Sequence, residues 1–436
     1  MRYLWTDGVT PIKGQRLQGD IRTEVCVIGG GMAGILCAAR LHECGVDTVV
    51  AEAKEIGEGI TKGTTAVLTA QHDLRYRDLA EKYGFAHAKQ YLHAHLHALQ
   101  WIRQQAERID CDFEVRPSVM FSRTGQDGLR EEADMVRRLG FTAEYTAKPK
   151  LPFPAVDAVV YPEMAQFHPL RFLNGMARGL RIYTGTFVRE LSGTTAITDS
   201  GRIRANHIIV ATHFPFVNRR GLYFTKQYQN RSYIIAYRNA PDIGCTAIDA
   251  GKGGFYFRNY RDLLLVGGGD HRTGKQGGAY AAIEQYVRRR FPQAKEAYRW
   301  ANQDCVTLDD VPYIGQYSPA MSNVYVATGF NLWGMTTSAV AAEILCDRIL
   351  GRQNADAAVF ASDRSMLHPR LFSNLGAAVA GWLTPVRRRC PHLGCALHYN
   401  AAEHSWDCAC HGSRFDGNGK LIENPAMRNA DVKRKI

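Results

Sequence analysis

The sequence predicts an α/β fold: a parallel nucleotide-binding unit, a mixed middle region and a separate metal-binding tail. Three observations predict it. Residues 24–28 (EVCVI), a glycine-rich turn, an apolar helical stretch and residues 46–51 (VDTVVA) make a β-α-β unit near the start. Strand-like and helix-like runs then alternate as far as about residue 350. Four of the eleven cysteines, Cys390, Cys395, Cys408 and Cys410, fall within 21 residues near the end.

Composition sets the frame. The chain has 436 residues, 45 % of them apolar and 22 % charged, enough for a sizeable core and for two or three domains. The formal charge is +12. No Lys/Arg run with interleaved aromatic residues accompanies it, so the charge reads as a solvated basic surface and nucleic acid is not expected as a partner. No run of eighteen or more apolar residues argues for a membrane span. The opening MRYLWTDGVTPIKG has no apolar signal-like stretch, so the cytoplasm is the expected location. Clustered cysteines in such a chain point to metal rather than to a secreted disulfide scaffold. The seven scattered ones (Cys26, Cys37, Cys44, Cys111, Cys245, Cys305 and Cys346) read mostly as small buried hydrophobes.

The elements follow in order. A helix is expected over 32–44, ending at Gly45, and helical structure over 75–108. Strands are expected at 206–211 and 262–266, a helix at 280–290, and a strand at 323–328. The segment GFNLWGM then leads into a helix over 335–350 that ends at Gly351. Residues 352–386 read as a connector without the strands of a further sheet.

Gly29, Gly31 and Gly34 fit G-x-G-x-x-G between strand and helix. The first permits the tight turn, the second lets backbone approach a pyrophosphate, and the third lets helix and strand pack closely. The helix N-terminus offers N–H groups and partial positive charge to the phosphates. Glu52, 21 residues after Gly31, ends the second strand where a carboxylate accepts from ribose hydroxyls. The pattern points to a dinucleotide, FAD or NAD. A second glycine-rich turn late in the large domain favours FAD.

In the tail, Cys390-Pro391-His392-Leu393-Gly394-Cys395 is followed by Cys408-Ala409-Cys410-His411-Gly412-Ser413, with fifteen residues between His392 and Cys408. Two thiolates and two imidazoles can hold a tetrahedral zinc ion, or the two irons of a mixed-ligand cluster.

These segments resemble a known family. Gly29–Gly34, Glu52-Ala53, Ile56-Gly57-Glu58-Gly59, Thr64-Thr65-Ala66, Asp309–Gly315 (DDVPYIG) and Asn323–Thr336 (NVYVATGFNLWGMT) look like the D-amino-acid-oxidase-like flavoproteins, the glycine and sarcosine oxidase group. Thr64–His72 (TTAVLTAQH) and Leu263–Gly274 (LLLVGGGDHRTG) look like bacterial members with a Rieske domain fused at the C-terminus. The cysteine–histidine segment resembles the Rieske signature.

The resemblance implies the architecture. It is α/β, an FAD-binding Rossmann-like domain with an interleaved mixed-sheet substrate domain, plus a small, shortened all-β Rieske module. Residues 1–352 would be the oxidoreductase, with FAD-binding segments at about 20–75, 180–215 and 305–352. Residues 353–386 would be the connector and 387–436 the Rieske module. It also implies roles. Thr64 and Thr65 would lie near the flavin or its phosphates, and backbone around Val188 near the adenine. Gly329 and Gly334 would let the closing loop approach the ring, with Met335 beside it. Cys390 and Cys408 would ligate one iron of a [2Fe–2S] cluster, and His392 and His411 the other. Cys395 and Cys410 would form a disulfide. Ser413 would hydrogen-bond a bridging sulfide, and Pro425 would belong to the loop that covers the cluster. Phe415 stands where the highest-potential relatives have tyrosine, which predicts an intermediate potential.

Gln71, His72, His271 and Trp333 are the candidates near a substrate. His93 and His97 have i, i+4 spacing, but with no third ligand in the sequence the three-histidine stretch through His95 reads as helix surface. Cys305 reads as a core thiol. The expected reaction is FAD-dependent oxidation of an amine or amino acid. Electrons would pass through the cluster to a redox protein or other external acceptor, which Arg387–Arg389 could help dock. Two alternatives stand beside it: reversed flow, in which the cluster feeds the flavin, and a non-catalytic redox sensor.

Overall fold

The computed structural model describes residues 2–125, 128–218, 220–275 and 279–432. Strand β1 (Ile21–Ile28) leads through the glycine turn into helix α1 (Met32–Glu43) and strand β2 (Thr48–Ala51). Helices α2 (Arg75–Tyr83) and α3 (Phe85–Ala106) follow. The sequence reads as one helical stretch here, but Gly84 breaks it with φ +92°, a left-handed value that a β-carbon disfavours. Strands β3 (Gly201–Val210), β4 (Gln227–Arg238) and β5 (Leu263–Arg272) precede helix α4 (Ala281–Arg290). Then come strands β6 (Lys295–Thr307) and β7 (Val324–Thr328) and helix α5 (Gly334–Ile349).

The nucleotide-binding sheet has eight strands. At its centre β2, β1, β3 and β7 run parallel in that order, with Cys26 opposite both Val49 and Ile208. At their C-terminal ends, residues 25–28, 49–51, 208–210 and 324–327, these strands are apolar and buried because both faces are covered there. Helix α1 buries Ile35, Leu36 and Ala39 on one side. A second eight-stranded sheet is mostly antiparallel. Its edge carries β6, β4 and β5 in that order, with Ser232 paired to Asn302 and Asn230 facing Asp304 and Arg272 on either side.

The tail is a four-stranded antiparallel sheet of β8 (Leu397–Asn400), β9 (Ser405–Cys408), β10 (Arg414–Asp416) and β11 (Leu421–Glu423). The connector adds no strand to it. It holds instead a helix that the sequence reading missed, α6 (Pro369–Leu383). Pro369 stands in its first turn, where a missing N–H costs nothing, and the His368 side chain caps Arg370 N. Asn374, Ala378 and Gly381 form its buried face, at i, i+4 and i+7. A β-carbon on Gly381 would stand 2.7 Å from Cys410 Sγ, so only glycine lets the helix come this close to the cysteine loops. A helix thus supports the cysteine–histidine loops on the side where the connector supplies no strands.

Candidate functional site

The glycine turn is shaped by close approaches. Gly29 has φ +110°, and a β-carbon there would meet Ala211 O at 2.5 Å. One on Gly34 would fall 1.9 Å from Gly29 O, whereas on Gly31 it would meet nothing closer than Thr61 Oγ1 at 3.4 Å. The first and third glycines are therefore packing requirements. The middle one leaves the helix mouth open, as a pyrophosphate needs. Glu52 accepts from Gly30 N at 2.6 Å and from Lys54 N at 2.7 Å, one donor on each oxygen, which leaves lone pairs for hydroxyl donors. Val188 lies on the same side, just beyond Thr186, whose N–H donates to Glu52 O at 2.8 Å.

A cavity of about 100 Å³ opens farther along. Thr64, Thr65, Gln71, Trp333 and Met335 all line it, so segments far apart in sequence converge on one space. The 63–66 loop is pinned from behind: Trp300 Nε1 donates to Gly63 O, Trp5 Nε1 to Thr64 O, and Arg258 Nη1 to the carbonyls of Thr65 and Ala66. Gly329 has φ +72°, and a β-carbon there would sit 2.2 Å from Thr307 Cγ2. Asn331 and Leu332 follow with φ 50° and 76°, and Gly334 starts α5 with its N-terminus at the cavity. This glycine-bounded slot between the pinned loop and a helix N-terminus fits a flavin ring, whose reduced form gains from a positive helix end.

The candidate substrate residues divide. Gln71 and Trp333 line the cavity. His72 is buried behind Trp333, stacked on it at 5.0 Å, with its nitrogens on Tyr91 Oη and Thr69 O. His271 bonds Tyr233 Oη and Arg272 O, and that tyrosine also receives a bond from Asn400 in the tail. Among the other marked histidines, His95 is fully buried on Tyr91 O and Thr337 Oγ1 rather than at the helix surface. His93 and His97 are exposed beside Asp356 and Glu343. Cys305 is a buried thiol near His213 O, and burial raises it far above the ordinary thiol range.

Two carboxylates on the cavity wall escaped sequence reasoning, Asp270 on β5 and Asp304 on β6. Asp270 is solvent-accessible at the cavity, and the protein packed around it, with Asp73 nearby, pushes its carboxyl up to about 6. Burial, with Asp270 nearby, pushes Asp304 up to about 7. No spacing in the sequence could have found them, because only the pairing of both strands with β4 brings them to one wall.

The tail forms a compact second site. Cys390, Cys408 and His411 are buried, and rings His392 and His411 stand 5.0 Å apart and nearly perpendicular. Nδ1 of each is buried without a hydrogen-bond partner among the described residues. His392 Nε2 is instead held by Asn218 Oδ1 at 2.8 Å, while the His411 ring is packed by Phe214 and Phe224. Burial holds His392 at about 4 and His411 at about 3, so both are neutral and able to ligate. Orphaned Nδ1 atoms beside two buried thiols fit a cluster with two cysteine and two histidine ligands. Cys395 and Cys410 are joined as a disulfide. Their sulfurs also lie near that of Cys408, but bonded sulfurs are not free to act as metal ligands. Ser413 Oγ accepts from Ala426 N at 2.9 Å, and Phe415 is fully buried with no hydroxyl to offer. Arg388 and Arg389 are engaged on backbone carbonyls, Arg388 on Val432 and Arg389 on Gly381, Trp382, Thr384 and Gly394. They brace the tail.

The two sites share a sheet. On β4 and β6 alternate residues face opposite ways. Ser232, Ile234, Asn302 and Asp304 line the cavity. Gln229, Arg231 and Gln303 turn to the tail. Gln303 Nε2 donates to Gly412 O at 3.0 Å, and Gln229 Nε2 to His411 O at 2.8 Å and Asn424 O at 3.1 Å. Arg272 Nε donates to Ala409 O at 2.9 Å and its Nη2 to Cys410 O at 2.8 Å. Arg231 pairs with Glu403, and Arg414 joins Glu403, Asp407 and Glu423 in the same buried network.

Comparison with known proteins agrees with both halves. Residues 24–348 match the FAD dependent oxidoreductase family, and residues 371–434 match the Rieske [2Fe-2S] domain. The Bacillus subtilis protein YhfW, which carries a Rieske 2Fe-2S iron-sulfur name, is 31 % identical over 94 % of this chain and 93 % of its own length. The gamma-glutamylputrescine oxidoreductase of Escherichia coli is 25 % identical over 77 % of this chain and 85 % of its own. The crystal structure of glycine oxidase from Geobacillus kaustophilus superposes with a TM-score of 0.65 at 19 % identity, covering 79 % of this chain and 99 % of that one. The cofactors are accordingly FAD and a [2Fe–2S] cluster.

Proposed function

The chain belongs to the FAD-dependent oxidoreductase family and carries a Rieske [2Fe–2S] domain; on that premise we propose that it oxidises an amine or amino acid and passes the electrons through the cluster to an external acceptor. One observation carries the reading: β4 and β6 line the cavity with one face and hold the cluster loops with the other. One sheet separates the two sites. When bound, the flavin accepts hydride from the carbon next to nitrogen, and the cluster carries electrons onward singly.

The side chains do the rest. Asp270 and Asp304 receive the cationic amine, and with carboxyls near 6 and 7 they are suited to taking its proton, which leaves nitrogen neutral for oxidation. Gln71 and Trp333 bound the space over the ring, and His72 backs Trp333. Trp5, Trp300 and Arg258 act as positioning residues by fixing the 63–66 loop. Cys390, Cys408, His392 and His411 hold the cluster. Residues 1–352 are then the oxidising unit and 387–436 the cluster module, joined by 353–386 through α6.

Anaerobic mixing with a panel of amines and amino acids tests this. Bleaching of the flavin by at least one of them is expected. Bleaching only by a reduced protein donor would establish reversed flow, and no response to any donor would leave a sensor.

A further inference from the structure

The chain has thirteen exposed large hydrophobic side chains among its described residues, and six of them fall between Leu367 and Leu383. Leu367 is 87 % exposed, and Phe372 and Leu383 are 77 % exposed each, joined by Leu375, Val379 and Trp382. On α6 the spacing 372, 375, 379, 382 and 383 gathers these side chains into one stripe roughly 100° wide. The stripe is turned away from the face that holds Asn374, Ala378 and Gly381. Concentrations of this kind on a protein surface mark an interaction site.

Charge selects the occupant. No aspartate or glutamate occurs from Arg364 to Ala402, a stretch that contains Arg370, Arg387, Arg388 and Arg389. Arg370, ion-paired with Asp310, flanks one end of the helix, and Arg387, which is exposed, lies just past the other. A second copy seated on this face would offer no acidic side chain from this stretch. An anionic lipid surface offers the apolar interior and negative headgroups that such a helix matches, with aromatic and leucine side chains on one side and arginine around them. The helix has 15 residues, roughly 22 Å, and among the described residues no helix is long and apolar enough to cross a membrane.

We propose that α6 lays its exposed stripe into the surface of an anionic bilayer, which sets the cluster module against the membrane. The disulfide side of the cluster site would then stand one helix away from the lipid, because Gly381 touches Cys410.

Flotation of the full-length holoprotein with vesicles tests this, using phosphatidylcholine alone and phosphatidylcholine mixed with phosphatidylglycerol. The protein should float with the anionic vesicles and not with the neutral ones, and added salt should weaken the binding. The triple variant Leu367→Ser, Phe372→Ser and Leu383→Ser should lose about tenfold in partitioning. Flavin and cluster absorbance report that it remains folded, since all three side chains are exposed. Sedimentation should give both proteins the same oligomeric state. Absence of flotation on anionic vesicles, equal flotation of the variant, or self-association that the variant abolishes would each overturn the proposal. The last would assign the face to a second copy.

Discussion

The two faces of the β4–β5–β6 edge differ in kind. The cavity face presents short polar groups and two carboxylates, Asp270 and Asp304. The tail face presents long side chains bonded to the tail: Arg231 on Glu403, Gln229 and Gln303 on cluster-loop carbonyls, and Arg272 on the loop between Cys408 and His411. One face is left open for something that arrives, and the other holds something that stays. Strand periodicity lets neighbouring residues serve both ends without interference.

Neighbours on β4 break the comparison most sharply. Arg231→Leu leaves Glu403 buried with Arg414 as its one remaining cation among the described residues, and should cost about 3–5 kcal/mol of the contact between the tail and the sheet. Loss of the cluster's EPR signal with flavin absorbance retained is the expected outcome. Ser232→Ala, one residue along and on the other face, should leave both signals intact.

Asp304→Asn probes the open face. Losing a charge-assisted contact worth about 1.5–3 kcal/mol should lower kcat/KM for the amine by roughly 10- to 150-fold. The wild-type kcat/KM should fall as pH drops through about 7 and then 6, because Asp304 and Asp270 protonate and lose their attraction for a cation. The stability effect has the opposite sign. A carboxyl raised in the folded state favours folding at low pH and loses that contribution as pH rises through about 7. Asp304→Asn should therefore raise Tm relative to wild type at pH 8 more than at pH 5.

Phe415→Tyr sharpens the tail side. A hydroxyl added beside the cluster at that buried position should raise its potential by roughly 65–130 mV, taking about 1.5–3 kcal/mol for a hydrogen bond to a charged group. Protein-film voltammetry reads this directly. The smallest effect is expected of Gln303→Leu, which removes one tether to Gly412. It should slow electron arrival at the cluster a few-fold and leave amine bleaching unchanged.

Much of this was legible in the sequence, for local reasons. The glycine turn, Glu52 and the cysteine–histidine set are short motifs whose chemistry fixes their spacing. The structure gathers Thr64, Thr65, Gln71, Trp333 and Met335 around one cavity. The parts that stayed hidden are tertiary. Asp270 and Asp304 are 34 residues apart and meet only because β4 pairs with both their strands. Trp5, Arg258 and Trp300 act on a loop far from them in sequence. Helix α6 was hidden because its buried face is made of Asn, Ala and Gly, small groups that suit close approach to a disulfide and carry little hydrophobic periodicity.

The central claim is that electrons taken from an amine cross the shared sheet within one molecule. Anaerobic rapid mixing of the holoprotein with an amine that bleaches its flavin, followed by freeze-quench EPR at several protein concentrations, tests it most directly. The account predicts that the signal of the reduced cluster follows flavin bleaching at a rate independent of protein concentration. A flavin that stays bleached with no cluster signal, or a rate that rises with protein concentration, would contradict it.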